Sequence, residues 1–210
     1  MGENYWDSRF KAGKVWGDEP SGTAPIASEY FKRFNKNKIL VIGSGYGRNT
    51  NYFYDNGYIV EGIEYAKDGI DIARQDNPNI EYFHGSVFDM PFTSTKYSAV
   101  YCYNVIHLFM EPQRERLISI CSNVLEDGGL LFFSAFSDED IDYGIGDELE
   151  TNTFEIKKGK PVHYYGRDEL IDSFASYKFL EDGVYTEVVG NKECRIRYIV
   201  VQYVSSAELP

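Results

Sequence analysis

An apolar run, Ile39-Leu40-Val41-Ile42, leads directly into Gly43-Ser44-Gly45-Tyr46-Gly47-Arg48-Asn49. A run without apolar–polar alternation fits a strand covered on both faces, as in a parallel sheet. Glycines at alternate positions allow a tight turn and let the backbone approach a ligand closely. Arg48 to Asp55 then predicts a helix that Asn56-Gly57 stops. A helix N-terminus placed just after such a turn offers free N–H groups and the positive end of its dipole to an anion. This one segment narrows the chain to an open α/β sheet with a ligand at the strand ends.

The chain on either side agrees. A helix is expected from Ser21, with Ser21 as cap and Ile26, Tyr30, Phe31 and Phe34 on one face. Beyond the glycine turn the pattern alternates. Strands are expected at 58–63, 80–83, 97–103 and 130–136, with helices at 67–75 and from Pro112 to about Leu125. Asp127-Gly128-Gly129 reads as the turn into the strand at Leu130. This βαβα order implies right-handed crossovers and a mostly parallel sheet with helices on both faces.

The last third differs in character. Residues 138–156 carry eight acids and no base. A short helix is expected at Arg167–Ala175, then two β patterns at Lys178–Val188 and about Arg195–Val204. The stretch between them, Val189–Cys194 with Gly190-Asn191, is too short for a parallel crossover and requires an antiparallel hairpin. The expected fold is therefore one doubly wound, Rossmann-like sheet, mostly parallel with an antiparallel C-terminal strand. Residues 1–37 form an N-terminal covering segment and helix, and 38–210 the main domain.

Charge restricts the partners. Twenty-one basic residues against 33 acidic ones leave a formal charge of −12, which repels the phosphate backbone of nucleic acids. The longest apolar stretch falls far short of a membrane span, and the start of the sequence lacks the pattern of a signal peptide. Cys102, Cys121 and Cys194 have no metal-ligand spacing and read as reduced thiols of a cytoplasmic protein. No metal site and no membrane or nucleic-acid partner is expected, and the chain would act as a monomer or homodimer.

Glu64 ends the second strand, about 20 residues beyond the first glycine, where a carboxylate can accept from both hydroxyls of a ribose. A dinucleotide fingerprint is G-x-G-x-x-G/A, whereas this turn is G-x-G-x-G with Arg48 in sixth place. That argues against a pyrophosphate and for a nucleoside cofactor whose anionic end is a single carboxylate.

These segments resemble the motifs of class I S-adenosylmethionine (SAM)-dependent methyltransferases, over roughly 39–204. Ile39 to Asn49 is similar to the first motif of that family, which implies cofactor contacts at Gly43, Ser44, Gly45 and Gly47. Gly62-Ile63-Glu64, followed by Tyr65, is similar to the second motif, with Glu64 on the ribose. Gly85-Ser86-Val87-Phe88-Asp89 resembles the segment that brackets the adenine with Ser86 and Val87. Tyr101 to Leu108, including Asn104, resembles the segment beneath the methionine part. Tyr5-Trp6-Asp7, Val15-Trp16-Gly17 and Pro161-Val162-His163-Tyr164-Tyr165 look more like the small tellurite-resistance and thiopurine-type methyltransferases. In such proteins an aromatic segment, here Trp16, folds over the cofactor; the alternative is packing on the sheet edge.

Three positions depart from the family pattern. Val41 stands where an acid is usual, Ser86 where an Asp accepts from the adenine amine, and Ser98 where strand four usually has Asp. His163 and Tyr143 are candidates for touching substrate, and residues 137–165 for a lid that covers the acceptor and disfavours anions. His107 reads as a packed histidine hydrogen-bonded to backbone. No obligatory catalytic residue follows. The resemblance implies methyl transfer to an N, O or S atom of a small molecule. Two competitors stand beside it: a SAM-binding protein without turnover, and a nicotinamide-dependent oxidoreductase.

Overall fold

The computed structural model describes residues 5–90, 96–189 and 192–204. Seven strands form the main sheet: β1 (Lys38–Ile42), β2 (Ile59–Glu64), β3 (Glu81–His84), β4 (Tyr97–Tyr103), β5 (Leu125–Phe136), β9 (Lys178–Val189) and β10 (Lys192–Gln202). Their order is β3-β2-β1-β4-β5-β10-β9. The first five run parallel; β10 is antiparallel to both β5 and β9. Gly190 and Asn191, expected at the hairpin tip, lie outside the described residues. The helices are α1 (Tyr5–Phe10), α2 (Thr23–Arg33), α3 (Arg48–Asp55), α4 (Lys67–Asp76), α5 (Glu111–Asn123) and α6 (Arg167–Ser173). Among the described residues no helix is long and apolar enough to cross a membrane.

Period-two alternation sorts the central strands onto two cores. Ile39 and Val41 of β1 join Ala99, Tyr101, Phe132 and Val200 on the face covered by Ala24, Ala27 and Phe31 of α2 and Phe53 of α3. Leu40 and Ile42 join Val100, Cys102, Phe133 and Ile199 on the face covered by Leu117, Ile118 and Cys121 of α5 and Leu170 of α6. Both faces are dry, which is why these strands read as continuous apolar runs. Each large side chain so buried contributes about 1.5–3 kcal/mol. Val41 is part of this packing, 1% exposed, so the usual acid is replaced by a core contact. Ser98 exchanges hydrogen bonds with the backbone of Lys38, its Oγ accepting from N at 2.8 Å and donating to O at 2.9 Å.

Ser21 does not cap α2. The N-cap is Gly22, and no side chain caps the helix. The Ser21 hydroxyl is turned inward, 2.7 Å from the phenol of Tyr101, which also meets Thr23 Oγ1 at 2.8 Å. A phenol buried at the centre of the sheet needs such partners, and that need outweighs the cap.

The Asp127-Gly128-Gly129 turn is also placed differently. α5 stops at Asn123, and Leu125 already pairs with Tyr97 in β5. The pairing then shifts so that Leu130 faces Ala99. The glycines form an irregularity inside one strand rather than the loop before it.

The acidic segment after β5 is a folded unit. Its strands β6 (Asp147–Glu150), β7 (Thr153–Lys157) and β8 (Lys160–His163) form a separate antiparallel sheet. An aromatic cluster anchors it to the end of β5: Tyr143, Phe154 and Tyr164 pack together, and Tyr164 lies 5.9 Å from Phe136. Arg114 of α5 holds it from the other side through an ion pair to Glu150 at 2.5 Å.

Candidate cofactor and acceptor site

A cavity of about 810 Å³ opens at the carboxyl ends of β1, β2 and β4, the usual ligand position in an open α/β sheet. Its floor is the glycine turn. Gly43 has φ +62°, and a Cβ there would lie 2.4 Å from Val105 Cγ2, so only glycine lets the chain leave β1 at this angle. Ser44 lines the cavity, and its buried Oγ has no hydrogen-bond partner among the described residues. Gly45 lines it too, and its N–H donates to Glu64 Oε2 at 2.8 Å.

Gly47 is placed behind the turn, away from the cavity wall. It has φ +93°, and a Cβ there would lie 2.9 Å from the Tyr82 hydroxyl and 3.1 Å from Ala73 Cβ. Its smallness lets the start of α3 sit against α4 and β3. The sequence placed Gly47 among the cofactor contacts, and here it does not line the cavity.

Glu64 is 7% exposed. Its other oxygen accepts from Ala66 N at 2.7 Å. Burial pushes its carboxyl above the usual range, and the Ala66 and Gly45 amides oppose that shift. Each oxygen keeps a lone pair for a ligand hydroxyl. Tyr65, Ser86, Val87, Asp89 and Asn104 line the same end. Ser86 spends its Oγ on Phe88 N, at 3.1 Å. Asn104 holds the left-handed conformation at φ +52°.

The N-terminal segment closes this end. Trp16 lines the cavity and stacks on Tyr46, with ring centroids 6.1 Å apart. The Tyr46 hydroxyl donates to Gly17 O at 2.8 Å and accepts from Trp16 N at 3.1 Å. Phe10 and Trp6 complete the aromatic layer. The spare acceptors, the glycine cradle and this cover suit a nucleoside cofactor with a carboxylate end.

A second compartment adjoins the first. Phe109, Phe136, Pro161, Val162 and Ile196 line it, together with His107 and Cys194. Across it Arg48 pairs with Glu187 at 3.2 Å, and the Tyr103 hydroxyl also donates to Glu187. Phe109, Phe136, Glu187, Cys194 and Ile196 are marked by no sequence motif; those from β9 and β10 arrive through topology rather than spacing. His107 carried a signal in its place just after β4, but not the one expected: among the described residues no backbone group bonds its ring.

His163 and Tyr143 are not on the cavity wall. His163 is fully buried, with Nδ1 2.8 Å from Thr153 Oγ1 and Nε2 2.9 Å from Glu169 Oε1, so it joins the small sheet to α6. Tyr143 is 41% exposed and donates to Asn152 Oδ1 at 2.8 Å. The acids of 138–155 likewise stay off the wall, and the small sheet presents Gly159, Lys160, Pro161 and Val162 to the cavity.

Residues 40–133 match the Methyltransferase domain family. The chain is 30% identical over 146 residues to the ubiquinone biosynthesis O-methyltransferase of Glaesserella parasuis, covering 65% of this chain and 61% of that relative. It thus spans about three-fifths of that relative's length. In fold it is similar to 1,6-didemethyltoxoflavin-N1-methyltransferase of Burkholderia thailandensis, solved with S-adenosylhomocysteine bound. The TM-score is 0.71 at 14% identity, over 95% of this chain and 87% of that one. It is also similar to TehB of Haemophilus influenzae, with TM-score 0.67 at 16% identity, over 94% of this chain and 67% of that one. The fold is thus the Rossmann-like one of these methyltransferase structures, and the match to the Methyltransferase domain family falls on the segment that carries the glycine turn and Glu64.

Proposed function

We propose that the whole protein transfers a methyl group from SAM to an N, O or S atom of a small molecule. The observation that carries this reading is the continuity of the two compartments. The glycine cradle and an apolar chamber lined by Phe109, Phe136 and Val162 share one cavity of about 810 Å³, within the range of roughly 300–1,000 Å³ common for small-molecule sites. The charge of −12 opposes a nucleic-acid acceptor.

SAM supplies an electrophilic methyl on a sulfonium, a leaving group that needs no acid. The task of the chain is then to bind, align and exclude water. The glycine-turn amides and Ser44 meet the amino-acid end. Glu64 takes the ribose hydroxyls, Ser86 and Val87 flank the base, and Asn104 lies beneath. Trp16, with Phe10 and Tyr46 behind it, shields the cofactor. The aromatic N-terminal cover supports placing the protein near the tellurite-resistance and thiopurine-type subgroup. It also supports treating 1–37 as a covering segment on a 38–210 domain. Three free thiols, all buried, suit a cytoplasmic setting.

The test is release of S-adenosylhomocysteine from SAM across a panel of phenols, amines and thiols. Turnover on at least one class supports the reading. Tight SAM binding with no turnover on any of them would make the protein a SAM-binding regulator instead.

A further inference from the structure

His107 is 3% exposed and its ring lines the cavity. Nδ1 is enclosed with no hydrogen-bond partner, and no protein group among the described residues bonds either ring nitrogen. The ring is held by packing alone, its centroid 4.7 Å from that of Phe136. Buried polar atoms are nearly always partnered, and leaving one unmet is costly. Other polar side chains of the second compartment are already engaged: Glu187 by Arg48 and Tyr103, and Lys192 by Asp142. His107 stands apart from them as an imidazole kept in the chamber with nothing to bond.

We propose that His107 contacts the methyl acceptor and takes part in a hydrogen bond with its hydroxyl or N–H, so that the acceptor is an aromatic or heteroaromatic ring bearing a protic group. The inference rests on the small-molecule methyltransferase reading above. The apolar wall sets the ring preference: Phe136 beside the imidazole, with Phe109, Pro161, Val162 and Ile196 around it. Burial, with the positive charge of Lys160 adding to it, pushes the His107 pKa down to about 3. The imidazole is therefore neutral at physiological pH and keeps a lone pair free to accept. So weak a base holds the protic group in place rather than removing its proton. Its contribution is to turn the nucleophilic lone pair toward the cofactor.

The test uses the full chain saturated with S-adenosylhomocysteine. Catechol and aniline are the protic probes, and anisole and toluene are matched rings without a strong donor. Binding is measured by calorimetry, and the His107 ring nitrogens are followed by NMR on isotope-labelled histidine. Catechol or aniline should shift the His107 nitrogen signals, whereas anisole and toluene should not. His107→Phe keeps the ring packed on Phe136 and should weaken the protic probe about two- to tenfold, the value of one neutral hydrogen bond. S-adenosylhomocysteine affinity should stay unchanged, and that also reports folding. His107→Gln restores a hydrogen-bonding group and should recover part of the loss. The proposal is overturned if anisole binds as well as catechol and aniline, if His107→Phe leaves protic binding intact, or if no probe binds at millimolar concentration. Failure of S-adenosylhomocysteine to bind the unaltered protein would instead overturn the reading beneath it.

Discussion

At the β1 end of the cavity Glu64 holds the turn by accepting from two backbone amides, and Gly43 fits against Val105 with no room for a Cβ. At the β8 end the wall comes from an appended three-stranded sheet and the β10 edge, and His107 Nδ1 has no partner among the described residues. The first end is fixed by these contacts and tolerates little change. The second is attached through a few joints, the Arg114–Glu150 pair and the His163 contacts among them. A fold that keeps its cofactor and varies its acceptor would divide its rigidity in this way.

The largest effect is expected at the rigid end. Gly43→Ala must hold a left-handed φ and press on Val105, which together cost about 2–5 kcal/mol of stability. Binding of S-adenosylhomocysteine should fall to background. Adding Val105→Ala should recover the packing share of the loss but not the backbone share, as thermal unfolding of the pair would show. If Gly43→Ala bound S-adenosylhomocysteine normally, the turn would be less constrained than its geometry indicates.

Glu64→Ala comes next. It removes the acceptor for Gly45 and Ala66 as well as the ribose contact, and each charge-assisted hydrogen bond is worth about 1.5–3 kcal/mol. Cofactor affinity should drop at least tenfold by calorimetry, with a lower melting temperature. The sequence suggested a ligand contact that the fold would not miss. The buried position of Glu64 makes it part of the turn as well.

Glu150→Ala tests the attached end. Losing the partner of Arg114 should cost about 1–3 kcal/mol at neutral pH, with S-adenosylhomocysteine affinity unchanged. Burial would raise the Glu150 carboxyl, but the Arg114 guanidinium and the Glu111 amide outweigh it and hold it below its ordinary 4.5. The folded form therefore binds fewer protons than the unfolded one in this range. Its stabilisation is full above about pH 4.5 and is lost as pH falls through the lower folded value. The gap between wild type and Glu150→Ala should narrow on acidification. A gap independent of pH would exclude the ion pair as its source.

The smallest effect separates support from contact. His163→Gln should lower stability by about 1–2 kcal/mol through the lost hydrogen bond to Thr153 and the lost contact with Glu169. Cofactor affinity and methyl transfer by the folded fraction should not change. A selective loss of transfer would return His163 to the acceptor site.

The sheet and the rigid end were legible in the chain because their signals are local. The run Ile39–Ile42, the glycine turn and Glu64 sit within one βαβ unit, where spacing dictates placement. The attached end was not legible for physical reasons. β6 is Asp-Glu-Leu-Glu and almost wholly exposed, so it has no buried face to impose alternation, and its acids looked like a solvated loop. His163 and Tyr143 read as facing the site because they flank it in sequence, yet β7 and α6 draw them into packing. Lys160, Glu187 and Ile196 reach the cavity only once the sheets are assembled. Ser21 shows the same limit on a smaller scale: a good capping residue is claimed by the phenol of Tyr101, 80 residues away.

The most direct test of the account is calorimetric titration of the purified chain with SAM, S-adenosylhomocysteine and NAD. The G-x-G-x-G turn with Arg48 in sixth place, and the spare lone pairs of Glu64, predict that both SAM species bind and that NAD gives no heat. Binding of NAD with no response to either SAM species would contradict the account at its root.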